Sequence, residues 1–314
     1  MRLNYFMVKY RKITYFISGA LVALSLAAIF GFGFNFGIDF TGGSLMEIEY
    51  KNTRPNIIDI KDALSGFKVG DIKLQPSGEK NYILRFKDTD EETHQNILKA
   101  LALNNAYELT EKRFDSIGPV IGNELKQRAL IAVALAAIMI IIFITFAFRK
   151  VSSVKILKTK KLSSVKYGII AVLALLHDIT IPTGIFVFLG HFKGVEIDSL
   201  FVTAILTILG FSVHDTIVVF DRIRENLLKN SSEKFEDTVD KSIKETITRS
   251  INTSLTVLFV LFALFLFGGE TTRYFALALI LGIFFGVYSS IFLASPLLVS
   301  WLNFSNRKFE KNSK

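Results

Sequence analysis

The sequence predicts an α-helical polytopic membrane protein, with six transmembrane helices and a small α+β extracytoplasmic domain between helices 1 and 2. Three observations predict it. Six runs of about twenty apolar residues recur along 314 residues, each long enough to cross a hydrocarbon core at 1.5 Å per residue. A polar segment with strand and helix periodicities separates the first two runs. The short loops are basic on alternate sides, as expected where lysine and arginine stay cytoplasmic.

Residues 1–35 form a cytoplasmic arm and the first span, 13–34. The arm carries Arg2, Lys9, Arg11 and Lys12 and no acid. The span is too long for the apolar region of a cleavable leader, and no small-residue cleavage site precedes the apolar stretch 30–36.

Residues 36–125 form the extracytoplasmic domain. Ser44 to Tyr50 alternates like a strand. From Asn56 to Phe67, Ile57, Ile60, Ala63 and Leu64 recur at helical spacing. Val69–Gln75 and Asn81–Phe86 read as strands joined by a Pro-Ser-Gly turn. Thr89, with Glu92 three residues on, is placed to cap a helix carrying Ile97, Leu98 and Leu101. Tyr107–Ser116 closes the order βαββαβ, a ferredoxin-like arrangement. Its 15 acids against 11 bases leave no basic patch.

Residues 126–304 form a five-helix bundle with spans near 128–148, 167–190, 199–220, 251–269 and 273–302. The last is long enough to tilt or to end at the interface. The 149–166 loop holds seven bases and no acid, whereas the 221–249 loop holds seven of each. The second loop also carries Ile223, Leu227, Phe235, Val239 and Ile243, and reads as a pair of amphipathic cytoplasmic helices. Residues 305–314 form a cytoplasmic tail. The formal charge of +9 comes from these flanks, so it signals topology and anionic lipid, not nucleic acid.

Ionisable residues inside spans carry the functional signal, because a charge there costs at least about 2.5–3.5 kcal/mol. Asp215 lies near the end of an apolar run opening at Leu200. It is either a proton or ion carrier or a structural hydrogen bond to a neighbouring helix. The His-Asp dipeptide occurs twice in consecutive spans, as His177-Asp178 and His214-Asp215. His177 also reads as a core histidine bonded to a backbone carbonyl. Arg249, Asn252, Thr253 and Thr256 share one face of the fifth span, which must meet protein or water, not lipid. Arg249 is at a depth to pair with Asp215, or else snorkels to the headgroups. Pro182 frees the carbonyl of Asp178. Gly282 and Gly286 form a GxxxG step that allows close helix contact. With zero cysteines there is no thiol chemistry. No nucleotide loop, catalytic triad or metal-ligand spacing occurs. The reading therefore calls for no cofactor, no metal and no enzymatic activity, and the energy source is an ion gradient or a partner.

Several stretches resemble a known family. Phe36-Gly-Ile-Asp39-Phe-Thr-Gly42-Gly43 is similar to the GIDFTGG motif of the SecD/SecF family of bacterial protein-export subunits. Leu176-His177-Asp178-Ile179 resembles its third-span motif, and Asp215 through Asn226 its fourth-span motif. Arg249 falls where SecF members have an arginine opening the fifth span. In many members asparagine stands where this chain has His214.

The family groups with RND-type transporters. The resemblance implies a multi-pass protein of the bacterial cell inner membrane, with both termini cytoplasmic. It implies that the protein works with a SecD partner, beside SecYEG and a YajC-like subunit, on exported precursor polypeptides. The proton motive force would drive that work through Asp215, Arg249, His214, Asp178 and His177. Asp39, Gly42 and Gly43 would act as motif and hinge, with the glycines giving the connector backbone freedom. The alternative is an RND-like proton-coupled exporter of small molecules or lipids, which ordinarily needs repeated halves.

Overall fold

In the computed structural model, residues 6–103, 105–147, 155–157, 160–161, 164–229 and 234–312 are described. They fall into two compact units, Phe36–Ile131 and the remainder, Met1–Asn35 with Ala132–Lys314.

The smaller unit holds a four-stranded antiparallel sheet and three helices of its own. Its elements are α3 (Ile38–Thr41), β1 (Gly43–Tyr50), α4 (Ile57–Leu64), β2 (Lys73–Ser77), β3 (Asn81–Phe86), α5 (Glu91–Leu101) and β4 (Leu109–Ile117). The sheet order is β2-β3-β1-β4. The period-two pattern of β1 sends Met46, Ile48 and Tyr50 inward, where they meet Leu84 and Phe86 of β3, Ile60 and Leu64 of α4, and Ile97 and Leu101 of α5. Two tyrosines keep their hydroxyls satisfied inside this core. Tyr50 donates to the Leu101 carbonyl at 3.0 Å and Tyr82 to that of Pro55 at 2.8 Å.

Two local expectations are corrected. The cap of α5 is Asp90, not Thr89: its carboxylate accepts the Thr93 N–H at 3.0 Å, one residue later than the capping-box pattern suggested. That bond and the Thr93 hydroxyl hold Asp90 below the usual carboxylate range. Pro76 and Ser77 are in β2, opposite Tyr82 and Asn81, and do not form the turn. Proline is tolerated there because β2 is an edge strand.

The glycine pair after the first span is a tight junction. Gly42 has φ +74° and Gly43 φ +125°. A Cβ on Gly42 would stand 2.6 Å from Cα of Pro119, and one on Gly122 would stand 2.7 Å from the Gly42 nitrogen. Here glycine supplies close backbone approach and positive φ, so the segment is packed where sequence suggested conformational freedom. Asp39 lies in the first turn of α3, partly buried.

The larger unit is a helical bundle. It contains α1 (Phe6–Lys9), α2 (Arg11–Phe32), α6 (Pro119–Ala147, from Ala132 on), α7 (Ser164–Lys193), α8 (Ser199–Lys229), α9 (Phe235–Phe267), α10 (Glu270–Ser289), a π-helical turn at Ser290–Ala294, and α11 (Ser295–Asn312). Among the described residues, six segments are long and apolar enough to span a bilayer: Arg11–Phe32, Pro119–Ala147, Lys166–Lys193, Ser199–Lys229, Phe235–Phe267 and Thr272–Phe304. This is a multi-pass membrane protein. Three of the spans, on α7, α8 and α10 with the start of α11, are half-buried within the bundle, while the others keep mostly outward faces.

Small residues set the close packing. A Cβ on Gly184 would strike Ser25 of α2, and one on Gly282 would strike Ile208 of α8. The GxxxG step is therefore used inside this chain, against α8. The 221–249 segment is also not a separate helix pair. Both of its helices are uninterrupted continuations of spans, α8 to Lys229 and α9 from Phe235, and residues 230–233 lie outside the described residues. Most of the 149–166 loop is outside them too, apart from short strands β5 (Lys155–Leu157) and β6 (Lys160–Lys161). The Val8 N–H donates to Asp240 of α9 at 3.1 Å, and Asn303 of α11 donates to Glu236 at 3.0 Å. These bonds gather the N-terminal arm, the start of α9 and the last helix at one end of the bundle.

Candidate functional site

The two His-Asp pairs occupy different settings. Asp178, on α7, has no solvent exposure. Its Oδ2 accepts the Ser212 hydroxyl of α8 at 2.5 Å and the Ser289 hydroxyl of α10 at 2.7 Å. Its Oδ1 lies 2.8 Å from Nδ1 of His177. One carboxyl thus ties three helices together. Pro182, four residues on, has no N–H to offer the Asp178 carbonyl, yet α7 runs through it without a break.

His177 is buried but does not make the backbone bond that the core-histidine reading expected. Its Nδ1 is spent on Asp178, and its buried Nε2 has no hydrogen-bond partner. The ring stacks on Tyr288, with centroids 6.0 Å apart and planes at 21°.

Asp215 sits one turn beyond Ser212 on α8. Its side chain is 10% exposed, at the wall of a narrow crevice shared with Ser212, Ser254 of α9, and Ile283, Gly286 and Val287 of α10. The crevice is too tight to admit a water-sized sphere. The hydroxyls of Ser250 and Ser254 are within reach of the carboxyl. Ser250 is buried, and its hydroxyl makes no hydrogen bond of good geometry. His214 of the same helix places Nδ1 3.8 Å from Oδ1, with a side chain 63% exposed.

Arg249 is not beside Asp215. It lies on the exposed face of α9, and no ion pair joins the two among the described residues. The reason is helix phase. Ser250 and Ser254 turn inward, so Arg249, Asn252, Thr253 and Thr256 turn outward. The outward Thr253 hydroxyl returns to the Arg249 carbonyl at 2.9 Å.

Sequence reasoning passed over the hydroxyls that build the site: Ser212, Ser250, Ser254, Ser289, and the Thr216–Ser290 pair at 2.9 Å. The signal was present as Ser212 three residues before Asp215 and as Ser289-Ser290 interrupting an apolar span. Ser290 also opens the π-helical turn, a feature that recurs at functional sites.

Residues 97–304 match the family described as protein export membrane protein SecD/SecF, C-terminal, and residues 27–53 match the SecD/SecF GG motif. The chain belongs to the SecD/SecF family. It is 41% identical over 307 residues to the protein translocase subunit SecF of Thermobaculum terrenum, covering 94% of this chain and 93% of that one. The SecF of Anaerolinea thermophila is 38% identical, with 93% and 92% covered. Among solved structures, SecDF of Thermus thermophilus, a translocon-associated membrane protein, is similar with a TM-score of 0.79 and 29% identity. That match covers 96% of this chain but 39% of the SecDF chain, so this chain corresponds to less than half of that larger protein. The family motifs carry the residues described above: Gly42-Gly43 lies in the GG segment, and Asp178, Asp215 and Arg249 lie in the C-terminal one.

Proposed function

We propose that this protein is the SecF-type auxiliary subunit of the Sec export machinery, and that it uses the proton motive force to promote polypeptide translocation across the bacterial inner membrane. The observation that carries the mechanism is Asp215: a carboxyl within a membrane-crossing helix, at the wall of a narrow crevice, with the Ser250 and Ser254 hydroxyls within reach and the His214 ring at 3.8 Å. A lone carboxylate at such depth is costly. Gaining or losing a proton there must therefore change what the surrounding helices prefer to contact. The transmembrane potential supplies about 2.3 kcal/mol per charge per 100 mV for that change.

The protein works on this reading with a SecD-type partner, next to the SecYEG channel and a YajC-like subunit. The outward stripe of Arg249, Asn252, Thr253 and Thr256 supports a partner, since a face with a guanidinium is unsuited to lipid. Arg249 then serves as a counter-charge at the subunit boundary. The β-strand order and the βαββαβ alternation favour a ferredoxin-like extracytoplasmic domain. Basic flanks place both termini in the cytoplasm. A single cysteine at Ser77 should then react with an impermeant thiol reagent from outside the inner membrane, and one at Ser153 should not; the reverse pattern would overturn the orientation.

The mechanism is tested by Asp215→Asn, which keeps shape and hydrogen bonding but cannot release a proton. The variant should insert and assemble normally, yet lose gradient-driven stimulation of precursor translocation in vesicles. Full stimulation by properly assembled Asp215→Asn protein would sink the proposal.

A further inference from the structure

Below Asp215, the α8–α9 seam runs to the end of the bundle that carries the N-terminal arm and α11. On α9, Thr238, Ser242, Thr246, Ser250 and Ser254 recur every four residues, and all five are buried. The first three hydroxyls are self-satisfied, each donating to the carbonyl one turn back: Thr238 to Lys234 at 3.3 Å, Ser242 to Thr238 at 2.6 Å, Thr246 to Ser242 at 2.9 Å. Ser250 breaks the pattern. Its hydroxyl is buried, makes no bond of good geometry, and is within reach of the Asp215 carboxyl. The seam is thus unsatisfied and polar beside Asp215, and closed toward the terminal end. Val219 and Phe220, both fully buried, lie between Asp215 and Arg222 along α8.

Beyond that apolar stretch the two helices are fastened by a chain of polar groups. Asn226, 4% exposed, donates through Nδ2 to Ser242 Oγ at 3.0 Å and to Glu245 Oε2 at 2.8 Å. The same Glu245 oxygen accepts Nε of Arg222 at 2.6 Å. Arg222 Nη1 then reaches Glu225 at 2.5 Å. Glu245 is the one residue of α9 on which Asn226 and Arg222 of α8 converge. Asn226 is eleven residues from Asp215, or about 16 Å along the helix.

We propose that Arg222, Asn226 and Glu245 form a clip that keeps the α8–α9 seam closed between Asp215 and the terminal end of the bundle, so that Asp215 exchanges protons with that side only when the clip opens. They are positioning residues: they do not touch the carboxyl but set the separation of the helices that enclose it. The proposal rests on Asp215 as the proton carrier.

The absence of cysteine gives a direct test. Thr246→Cys places one thiol in the seam, between the clip and Ser250. The full chain, with its SecD-type partner, is studied in inverted membrane vesicles with a small impermeant maleimide and no imposed gradient. Labelling should be slow with the clip intact. Glu245→Gln should speed it about tenfold, as expected for removing a charged hydrogen-bonded pair. Glu245→Asp, which keeps the carboxylate, should label at a rate closer to wild type than Glu245→Gln does. Asp221→Asn removes the neighbouring Asp221–Arg224 pair outside the clip and should leave the rate unchanged. Equal rates with and without the Glu245 carboxylate, or equal loosening by Asp221→Asn, would each overturn the clip. Labelling needs no export, so failure of the Asp215 reading and failure of the clip are separable.

Discussion

Asp178 and Asp215 share a dipeptide context and lie on consecutive spans, yet the fold treats them in opposite ways. Asp178 is saturated: two serine hydroxyls and a histidine nitrogen meet its two oxygens, and each serine comes from a different helix. Asp215 has a crevice, two serines within reach and an exposed histidine at 3.8 Å. Ser212 links the two settings, since it donates to Asp178 and also lines the Asp215 crevice. The lesson is that a buried acid in a membrane is not one kind of object. One of these ties three helices together, while the other is held by fewer and looser contacts.

The contrast is broken most sharply by removing Asp178. Asp178→Ala strands Ser212 and His177 inside the bundle, while Ser289 keeps the Gly286 carbonyl at 3.1 Å. It should cost about 3 kcal/mol or more, since each orphaned buried group costs about 1–3 kcal/mol. Little assembled protein should be recovered from membranes, and its melting in detergent should fall well below that of Asp215→Ala. If Asp178→Ala assembles and melts like wild type while Asp215→Ala does not, the two roles are reversed.

A smaller but still structural effect is expected at Gly282. Any Cβ there collides with Ile208, so Gly282→Leu must separate α8 from α10. Because Gly286 and Ile283 of α10 wall the Asp215 crevice, the variant should widen it as well as lower stability. The measurement is the labelling rate of a cysteine at Ser254, which should rise. A rate equal to that in the wild-type background would show that α10 does not enclose Asp215.

Much of this was legible in the sequence, and the misses share a cause. Six apolar runs and the βαββαβ periodicities are one-dimensional signals, and the described residues hold six segments long and apolar enough to span and that order of elements. Asp215 and Asp178 stood out because charge in an apolar run is itself the signal. Arg249 shows where sequence ran out. Depth along a helix can be counted, but phase cannot: Arg249 and Ser250 are adjacent, and only packing decides which faces Asp215. The serines were overlooked because a hydroxyl in a spanning helix is satisfied by its own backbone, as Thr246 is, so its presence alone does not mark a site. Gly42 and Gly43 read as flexible because glycine serves freedom and close contact alike, and the partners in contact, Pro119 for Gly42 and Phe86 for Gly43, are far along the chain.

The mildest prediction concerns His214, the exposed histidine of the second pair. An intrahelical neighbour at 3.8 Å, more than half exposed, is a weak partner for Asp215. Exposed ion pairs are worth about 0–1 kcal/mol, so His214→Asn should change gradient-driven export stimulation by about fivefold at most. His177→Asn is the matched control on the other pair. Its Nδ1 bond at 2.8 Å is buried, so that variant should act through assembly instead. Export stimulation per assembled complex separates the two. It should stay near wild type for both variants, with yield reduced only for His177→Asn. A large loss of stimulation in fully assembled His214→Asn protein would make His214 a working partner of Asp215 and would erase the asymmetry between the two pairs, because each aspartate would then depend on its histidine.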